Sequence, residues 1–419
     1  MLPNRPLRVL HITTSDVGGA GVACLRLHRA LRDLRVDSRV LVNKRHVNEE
    51  GVFLEGTRWT GALRYRLDRL PLWLYPRRNF FASWSVNWIN VPRSFNFDGW
   101  EPDILHPHWI GDGFLSLKRL SDSAKPVVWT LHDMWAFTGG CHYSRDCDRF
   151  MKGCGACPQL GSQNLHDLSA RSASRKAQTW NRISGAVVSP SRWLADAAQH
   201  SAVFSRARVE VIPNGLDRDL FKPGNRSEAR RHFGLREDER VILAGAVGAV
   251  RDRRKGFDLL TQALKACVAS GGTEKWRLLV FGAETGPGAE TVGVPVTYCG
   301  TVSDEKLLPR IYQAADVYTL PSLQDNLPNT VVEAFACGTP VVAFRTGGLA
   351  NMIADGVTGR LAEPFSTQSL AAALRDAVSG PAQDKQRKAC REEFERVYAW
   401  PGPAEKYLKL YKEMMKEAR

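Results

Sequence analysis

Residues 316–348, DVYTLPSLQDNLPNTVVEAFACGTPVVAFRTGG, decide the fold of this chain. Each end of the stretch is an apolar run typical of a buried strand, and residues 330–338 between them have a helical pattern. A strand, a helix and a strand in this order predict two parallel strands joined by a crossover helix. The loop before the helix carries Asp325, and Glu333 lies within the helix. The stretch therefore predicts an acidic loop at the carboxyl edge of a parallel sheet.

Strand and helix patterns alternate along the chain in two series. The first series begins at 7–14 and the second at 240–247, and a turn-rich stretch at 213–223 lies between them. The 419 residues are enough for two domains of about 200 residues each. Alternation of this kind predicts a parallel sheet covered by helices in each domain.

The expected architecture is α/β, with two facing Rossmann-like domains. The N-terminal domain is predicted to cover 1–210 and the C-terminal domain 211–402, and the basic helix at 403–419 is expected to cross back onto the N-terminal domain. The sequence contains no run of about 20 apolar residues, so we expect no membrane-spanning helix. The first apolar stretch is too short for a signal peptide. We therefore expect a cytoplasmic protein, associated with the inner face of the membrane.

The charge of the chain favours an anionic partner. It has 58 Lys and Arg against 44 Asp and Glu, a net charge of +14. Residues 58–93 combine seven Arg with one acidic residue, Asp68, and are rich in Trp, Tyr and Phe. Arginine mixed with aromatic residues suits contact with an anionic membrane surface. The alternative is an amphipathic helical pair whose aromatic side chains fill the core.

The acidic loop has the features of an anion-binding site. The backbone N–H groups around Asn326 and Leu327 come directly before the helix, and a helix N-terminus favours phosphate. Glu333, in the helix, is suited to accept hydrogen bonds from neutral hydroxyls such as a ribose diol. The alternative is a helix-capping Asp325 followed by a surface Glu333. The neighbouring NLPNT and EAFACGTPVVA sequences favour the ligand site.

This loop resembles the donor-binding loop of retaining glycosyltransferases with two Rossmann-like domains (the GT-B fold), specifically glycosyltransferase family 4. The N-terminal half resembles the exopolysaccharide and colanic-acid branch, through WTLHDMWAFTGGCHYS (129–144) and CGACPQL (154–160). The resemblance covers nearly the whole chain. It implies that Asp325 contacts the transferred sugar and Glu333 the nucleotide ribose. The family usually has Glu at the first position, so Asp325 is one methylene shorter.

The resemblance also implies a cationic site for the diphosphate. Lys255, followed by Gly256, matches the phosphate-binding Lys-Gly of the family. Fixed cations there stabilise the charge that develops on a diphosphate leaving group. Its arginine partner is one of Arg251, Arg253 and Arg254, of which Arg251 is favoured. The alternative is a solvated basic loop.

Glycine and histidine complete the expected site. Gly18 and Gly19 follow the first strand, where the resemblance implies that they approach the donor phosphate; a dehydrogenase is the rival, but no G-x-G-x-x-G is present. His132 ends a predicted strand, and the resemblance places it near the transferred sugar. The alternative for His132 is a structural role. His106 and His108 are expected to be structural or to lie on the acceptor side.

Four of the nine cysteines lie within 17 residues, at Cys141, Cys147, Cys154 and Cys157. The C-x2-C pair suits a tetrathiolate zinc site, although the other spacing is not that of a standard zinc ribbon. We expect a structural zinc ion or unbridged thiols, and no catalytic metal. The five other cysteines have core patterns.

The function implied by the resemblance is hexose transfer, with retention, from a nucleoside diphosphate sugar to a saccharide acceptor. The acceptor is expected to be lipid-linked, in exopolysaccharide or lipopolysaccharide biosynthesis. No cofactor is required for catalysis, and no nucleic-acid partner is expected. The alternatives are a basic nucleic-acid-binding scaffold with a zinc knuckle, and an epimerase or phosphorylase with the same fold.

Overall fold

The chain forms two compact units in a computed structural model that describes residues 5–89, 95, 99–245, 252–302, 304–379 and 383–417. The first unit is Met1–Gly215 with Pro401–Arg419, and the second unit is Leu216–Trp400. The domain boundaries predicted from the sequence were placed after residues 210 and 402. Over the described residues, no helix has the length and apolar character needed to cross a bilayer.

The first unit is built on a parallel seven-stranded sheet. Its strands are β1 (Arg8–Ser15), β2 (Asp37–Lys44), β3 (Val52–Leu54), β4 (Ile104–Pro107), β5 (Val127–Thr130), β6 (Gly185–Ser189) and β7 (Arg208–Val211). Their order is β3-β2-β1-β4-β5-β6-β7, so the chain reverses its direction of progress between β1 and β4. In this pairing His11 of β1 lies opposite His106 of β4.

The second unit has a parallel six-stranded sheet. Its strands are β8 (Arg240–Gly245), β9 (Trp276–Phe281), β10 (Val296–Tyr298), β11 (Val317–Leu320), β12 (Val341–Phe344) and β13 (Gly359–Ala362). Their order is β10-β9-β8-β11-β12-β13, which places the reversal between β8 and β11. Ile242 and Leu243, neighbours in β8, belong to different buried clusters, so both faces of this sheet are covered.

Helices alternate with these strands and confirm the α/β class. They are α1 (Gly18–Asp33), α2 (Arg58–Asp68), α3 (Leu117–Asp122), α4 (Leu168–Trp180), α5 (Arg192–Gln199), α6 (Arg226–His232), α7 (Phe257–Ala269), α8 (Ala289–Val292), α9 (Leu308–Ala314), α10 (Asn329–Ala336), α11 (Leu349–Met352), α12 (Thr367–Ser379), α13 (Gln383–Val397) and α14 (Gly402–Glu417). Side chains at several N-caps satisfy the first N–H groups, as when Asp167 accepts from Ala170. The last helix, α14, returns to the first unit, where the Tyr411 hydroxyl lies 2.6 Å from His106 Nδ1.

The segment 59–88 exposes most of its large apolar side chains, although Leu72, Trp84 and Val86 are buried. In α2, Trp59 and Leu63 are 86% and 58% exposed, whereas the polar Arg64 and Asp68 are buried. The exposed apolar side chains of the segment are Trp59, Leu63, Leu67, Leu70, Trp73, Leu74, Phe80, Phe81 and Trp88. Core packing of the aromatic residues, one of the two sequence interpretations, is therefore wrong for most of them. Trp84, which is buried, is the exception.

Candidate functional site

The acidic loop of the second unit lies at the reversal point of its sheet. Residues 321–328 follow β11, and the short helical turn Arg253–Lys255 comes between β8 and α7. Because β8 and β11 are adjacent and parallel, both segments lie at the carboxyl edge. This edge is where open α/β sheets bind ligands. The Leu323 N–H donates to the Arg254 carbonyl oxygen at 2.8 Å, which joins the two segments directly.

Asp325 is the centre of a charged cluster. Its Oδ2 accepts hydrogen bonds from Lys255 Nζ at 2.7 Å, Ser322 Oγ at 3.2 Å and Arg254 Nη1 at 3.3 Å. Burial raises the pKa of Asp325, but Lys255 and Arg254 outweigh burial and hold this pKa at about 2. Asp325 is therefore ionised at neutral pH. The turn also carries Arg253 and Asp252, and Asp252 pairs with Arg254 at 3.1 Å, so three cations and two carboxylates leave the cluster with a net positive charge.

The backbone of the basic turn is fixed by a close contact with the acidic loop. Gly256, which ends the turn, has φ +68°, and a Cβ there would lie 2.0 Å from the Pro321 carbonyl oxygen. Only glycine fits, and this close approach brings Lys255 to Asp325. Of the three competing arginines, Arg254 makes the contact to Asp325. Arg251, favoured from the sequence, lies outside the described residues.

Glu333 accepts a hydrogen bond from a tyrosine. It lies in α10, is buried, and accepts a 2.7 Å hydrogen bond at Oε2 from the hydroxyl of Tyr312 in α9. The bond orients the carboxylate without neutralising it. Burial and the proximity of Glu333 raise the pKa of Tyr312 well above its ordinary value, so the phenol stays a donor.

Asn326 and Leu327, in the loop before α10, have different surroundings. The Asn326 N–H donates to Asp325 Oδ1 at 3.2 Å, and Leu327 packs into the hydrophobic core. The hydroxyl of Tyr318 in β11 donates to the Gly245 carbonyl and lies 2.9 Å from Thr330 Oγ1. Tyr318 thus connects the end of β8 with the start of α10.

In the first unit, the glycines after β1 form the first turn of α1 and not a separate loop. Gly18 has φ +78°, and a Cβ at Gly18 or Gly19 would meet no atom within 4 Å. At Gly21, by contrast, a Cβ would lie 2.4 Å from the Ser15 carbonyl oxygen. Packing therefore explains Gly21 but not Gly19, which leaves open space above the helix N-terminus for a ligand.

His132 is the end of a row of hydrogen-bonded histidines. His132 Nε2 lies 2.9 Å from His108 Nδ1, and His108 Nε2 lies 3.1 Å from His11 Nδ1. His106 stacks on His108 and contacts Thr130 and Tyr411. Burial lowers the pKa of His132 to about 4, with Asp133 acting in the opposite direction, and burial also lowers the pKa of the other three well below the ordinary value.

This row couples the tautomer of His132 to the tautomers of His108 and His11. Each neutral imidazole has one donor and one acceptor nitrogen, so the donors must all point in the same direction along His11, His108 and His132. The ligand atoms of His11, His106 and His108 lie within 4.8 Å of one another. Because both ring nitrogens of His106 and of His108 already have hydrogen-bonding partners, the cluster is better suited to hydrogen bonding than to a metal.

The four clustered cysteines also come together in the first unit. Cys141, Cys147, Cys154 and Cys157 line one small cavity with Trp84 and Phe150. Of the five cysteines expected in the core, four are buried, and Cys299 is partly buried.

Several residues of these clusters were not singled out from the sequence. The sequence places Tyr312 on the apolar side of a predicted helix, but no neighbouring residue indicates that it contacts Glu333. His11 and His108 are contacts of β1 with the segment after β4, separated by 97 residues. Spacing could not have indicated that contact, although the L-H-P-H-W sequence placed two histidines at a strand end.

Two parallel sheets with this order, one carrying a basic turn beside an acidic loop, define the GT-B class of glycosyltransferases. Family models agree: residues 17–220 match "Glycosyltransferase Family 4" and residues 241–379 match "Glycosyl transferases group 1". Together the matches cover most of the chain. The chain belongs to glycosyltransferase family 4.

Known proteins similar to the chain have related descriptions. D-inositol 3-phosphate glycosyltransferase of Mycobacteroides abscessus is 32% identical over 217 residues, which are 49% of this chain and 46% of that protein. The chain spans about half the length of the curated relatives that it matches.

Solved structures are similar over nearly the full length. Sucrose-phosphate synthase from Thermosynechococcus elongatus has a TM-score of 0.67 at 19% identity, covering 99% of this chain and 100% of that one. Anabaena HepE in complex with UDP and glucose has a TM-score of 0.62 at 16% identity, covering 97% and 99%. At these identities the likeness shows the fold.

Proposed function

We propose that the chain transfers a hexose from a nucleoside diphosphate sugar to a hydroxyl group of a saccharide acceptor, with retention of anomeric configuration. The observation that carries the proposal is the contact of Lys255 and Arg254 with Asp325 at the reversal point of the second sheet. This cluster combines a net positive charge with a carboxylate that stays ionised, as a site for a diphosphate and a sugar requires. The complex of HepE with UDP and glucose supports this donor class.

The proposed reaction breaks the bond between the anomeric carbon and the phosphate oxygen. The acceptor hydroxyl forms the new bond from the same face, and its proton goes to the leaving phosphate oxygen. Lys255 and Arg254 stabilise the charge that develops on the leaving diphosphate. Since Asp325 engages both cations before the donor arrives, the diphosphate has to share them with Asp325. Their attraction to phosphate then grows as its charge grows, which favours the transition state.

The carboxylates have separate tasks in this proposal. Asp325 contacts the transferred hexose, and its shorter side chain keeps it close to Lys255. Glu333, oriented by Tyr312, accepts from the ribose hydroxyls. In the first unit, His132 is proposed to contact a sugar hydroxyl, and the backbone at Gly18 and Gly19 to contact phosphate. No step requires a metal ion.

The donor is identified by a thermal-shift screen with a panel of UDP-, GDP- and ADP-sugars. A nucleotide that binds the folded state raises the unfolding temperature by mass action. The proposal expects one nucleotide series to stabilise the chain and its sugar to be transferred to a saccharide. Epimerised sugar, or transfer to inorganic phosphate, would support the same-fold alternatives instead. Binding of nucleic acid that weakens steeply with salt, without any nucleotide-sugar response, would contradict the proposal.

We further propose a lipid-linked acceptor, in exopolysaccharide or lipopolysaccharide biosynthesis, with the chain held at the cytoplasmic face of an anionic membrane. The exposed segment 59–88 supports this. Trp73 and Leu74 are 75% and 80% exposed, and Arg66 and Arg77 are exposed within the same segment. Aromatic rings insert at the headgroup level while arginine pairs with lipid phosphate.

Membrane binding is tested by sedimentation with vesicles. The wild type is expected to bind vesicles containing phosphatidylglycerol more tightly than pure phosphatidylcholine vesicles, and the double variant Trp73→Ala/Leu74→Ala to lose most of that binding. Phe365→Ala, which removes an exposed aromatic residue of the second unit, is the matched control and should bind as the wild type does. Equal binding by all three proteins, or none by the wild type, would exclude this role for the segment.

A further inference from the structure

The long loop between β5 and α4 has little secondary structure and four cysteines. Its regular secondary structure consists of three short helical turns, Trp135–Phe137, Arg149–Lys152 and Pro158–Leu160. Cys141, Cys147, Cys154 and Cys157 all line one cavity of about 20 Å³. A space of this size holds one water-sized body. The loop therefore directs four thiols towards room for a single ion.

Backbone N–H groups point at the sulfur atoms. The Gly139 N–H donates to Cys154 Sγ at 3.1 Å, and the N–H groups of Gln159 and Leu160 interact with the Cys157 sulfur. Hydrogen bonds to a charged acceptor are stronger than those to a neutral one, so these bonds would strengthen on metal-bound thiolates. Donors of this kind around a ligand atom are a usual feature of metal sites.

A buried lysine lies beside the thiols, and burial lowers its pKa to about 7. Lys176 of α4 is buried, lies 4.1 Å from the centre of the Trp135 ring, and donates to the carbonyl oxygens of Trp135 and Thr138. Both acceptors are neutral. Its ammonium group interacts electrostatically with Cys154 and Cys141. A zinc ion with four thiolates has a net charge of −2, and Lys176 would compensate part of that charge where water cannot.

We propose that Cys141, Cys147, Cys154 and Cys157 bind one structural zinc ion. Closing the site requires the sulfurs to move together. The His11, His106 and His108 group is the one set of metal-ligating side chains in the described part of the chain whose ligand atoms all lie within 4.8 Å. In any three of the four sulfurs, at least one pair is therefore more than 4.8 Å apart, whereas a Zn–S distance of about 2.3 Å places tetrahedral ligands roughly 3.8 Å apart. The cavity between them provides the space for this movement.

The zinc ion would stabilise the segment next to His132. His142, one residue after the first cysteine, pairs through Nδ1 with Asp133 Oδ2 at 3.0 Å, and its carbonyl accepts from the Met134 N–H. The cysteine loop is thereby attached to the end of β5. Loss of zinc should loosen this attachment, because the loop has few other ordered elements.

The test is the metal content of the full-length chain after purification with reductant and dialysis against metal-free buffer. Elemental analysis by mass spectrometry is expected to find close to one zinc ion per chain. Cys154→Ser and Cys157→Ser should each lose most of it. Cys299→Ser, which changes a partly buried thiol outside the cluster, should retain it.

A second measurement uses the wild type alone, so it tests the proposal even if the cysteine variants fail to fold. The wild type is stripped with a chelator, and Co²⁺ is added in place of Zn²⁺. The proposal expects the visible absorption of tetrahedral cobalt thiolate, abolished by added Zn²⁺, and a higher unfolding temperature with either metal. Zinc-free protein that shows neither uptake nor stabilisation would overturn the proposal. Disulfides joining any two of the four cysteines in unreduced protein would do so as well.

Discussion

The two units have the same kind of sheet but carry differently charged clusters near the carboxyl edge. In the first unit, His108 and His132 follow β4 and β5 and continue a row of histidines that begins at His11 within β1; burial lowers the pKa of each, and the row is neutral. In the second unit, the edge is lined by Lys255, Arg254 and Asp325, whose charges compensate one another only in part. The same topology therefore carries a buried, neutral hydrogen-bonded row in one unit and a charged cluster, proposed to bind an anion, in the other.

The largest effect should follow from breaking the charged edge. Asp325→Ala removes the proposed sugar contact and releases Lys255 and Arg254, so we expect turnover to fall by about 10²–10³-fold. Asp325→Glu keeps a carboxylate and should lose less. The measurement is the transfer rate with the donor found in the screen, with the fold checked by circular dichroism.

Asp258→Ala is the matched control for this change. Asp258 is an exposed carboxylate at the start of α7, three residues from Lys255. Its removal should leave turnover within about twofold of the wild type, since surface substitutions of this kind have small effects. Wild-type turnover in Asp325→Ala would remove Asp325 from the site.

The neutral row should be more tolerant. His108→Gln breaks the row to which the His132 tautomer is coupled, and loss of one hydrogen bond of about 1 kcal/mol predicts a fall in kcat of roughly tenfold or less, with little change in KM. The nitrogen chemical shifts of His132 should report a changed tautomer. His28→Gln, at a buried histidine bonded to Ser38, is the control. Unchanged His132 shifts in His108→Gln would show that His108 does not position it.

Tyr312→Phe tests the orientation of Glu333. The variant leaves a buried carboxylate without its phenol donor, and we expect a loss of about 1–3 kcal/mol in the free energy of unfolding. Tyr298→Phe removes a bond to the neutral carbonyl of Pro287 and should cost less. Urea unfolding of the three proteins compares them. An equal loss in both variants would mean that Glu333 does not depend on Tyr312.

The pH dependence of stability tests the neutral state of the buried histidines. Histidines in the unfolded chain titrate near pH 6.5, whereas the buried ones stay neutral to lower pH, so the unfolded state binds more protons. Stability should therefore decrease as the pH falls below about 6.5, and continue to decrease towards the pKa of His132, about 4. Asp325 affects stability at lower pH. Its contribution to the free energy of unfolding is complete above about pH 3.9 and is lost as the pH falls towards about 2.

Unfolding temperatures between about pH 7.5 and pH 5 measure this dependence. Asp325→Asn should keep the slope of the wild type over this range. His11→Asn removes one of the buried histidines, and its slope should be shallower by one titrating group. Equal slopes in the wild type and His11→Asn would contradict the neutral state of the buried histidines.

Most of the fold could be predicted because strand and helix patterns are local. The strand predicted at 340–348 is the four-residue β12, which ends at Phe344, and the polar Arg345 and Thr346 begin the next loop. The strand β7 (Arg208–Val211) comes directly before the turn-rich stretch, and no strand is predicted there from the sequence. A half-exposed edge strand has too weak an apolar pattern to be recognised.

The candidate site divides in the same way. The loop with Asp325 and the helix with Glu333 could be found because family-like residues surround them in sequence. The sequence does not indicate that Arg254 reaches a carboxylate some seventy residues away. Which of Arg251, Arg253 and Arg254 contacts phosphate stays a prediction, since Arg251 lies outside the described residues. The exposure of Trp59 and Trp73 also could not be predicted, because their spacing suits either face of a helix.

The central claim is that the charged edge of the second unit binds a nucleoside diphosphate, and calorimetric titration of UDP and GDP tests it most directly. The account predicts that one of them binds with a stoichiometry of one, and that Lys255→Ala weakens this binding by about tenfold or more while Lys265→Ala, at an exposed lysine of α7, does not. Failure of both nucleotides to bind the wild type, or equal affinity in the wild type and Lys255→Ala, would contradict it.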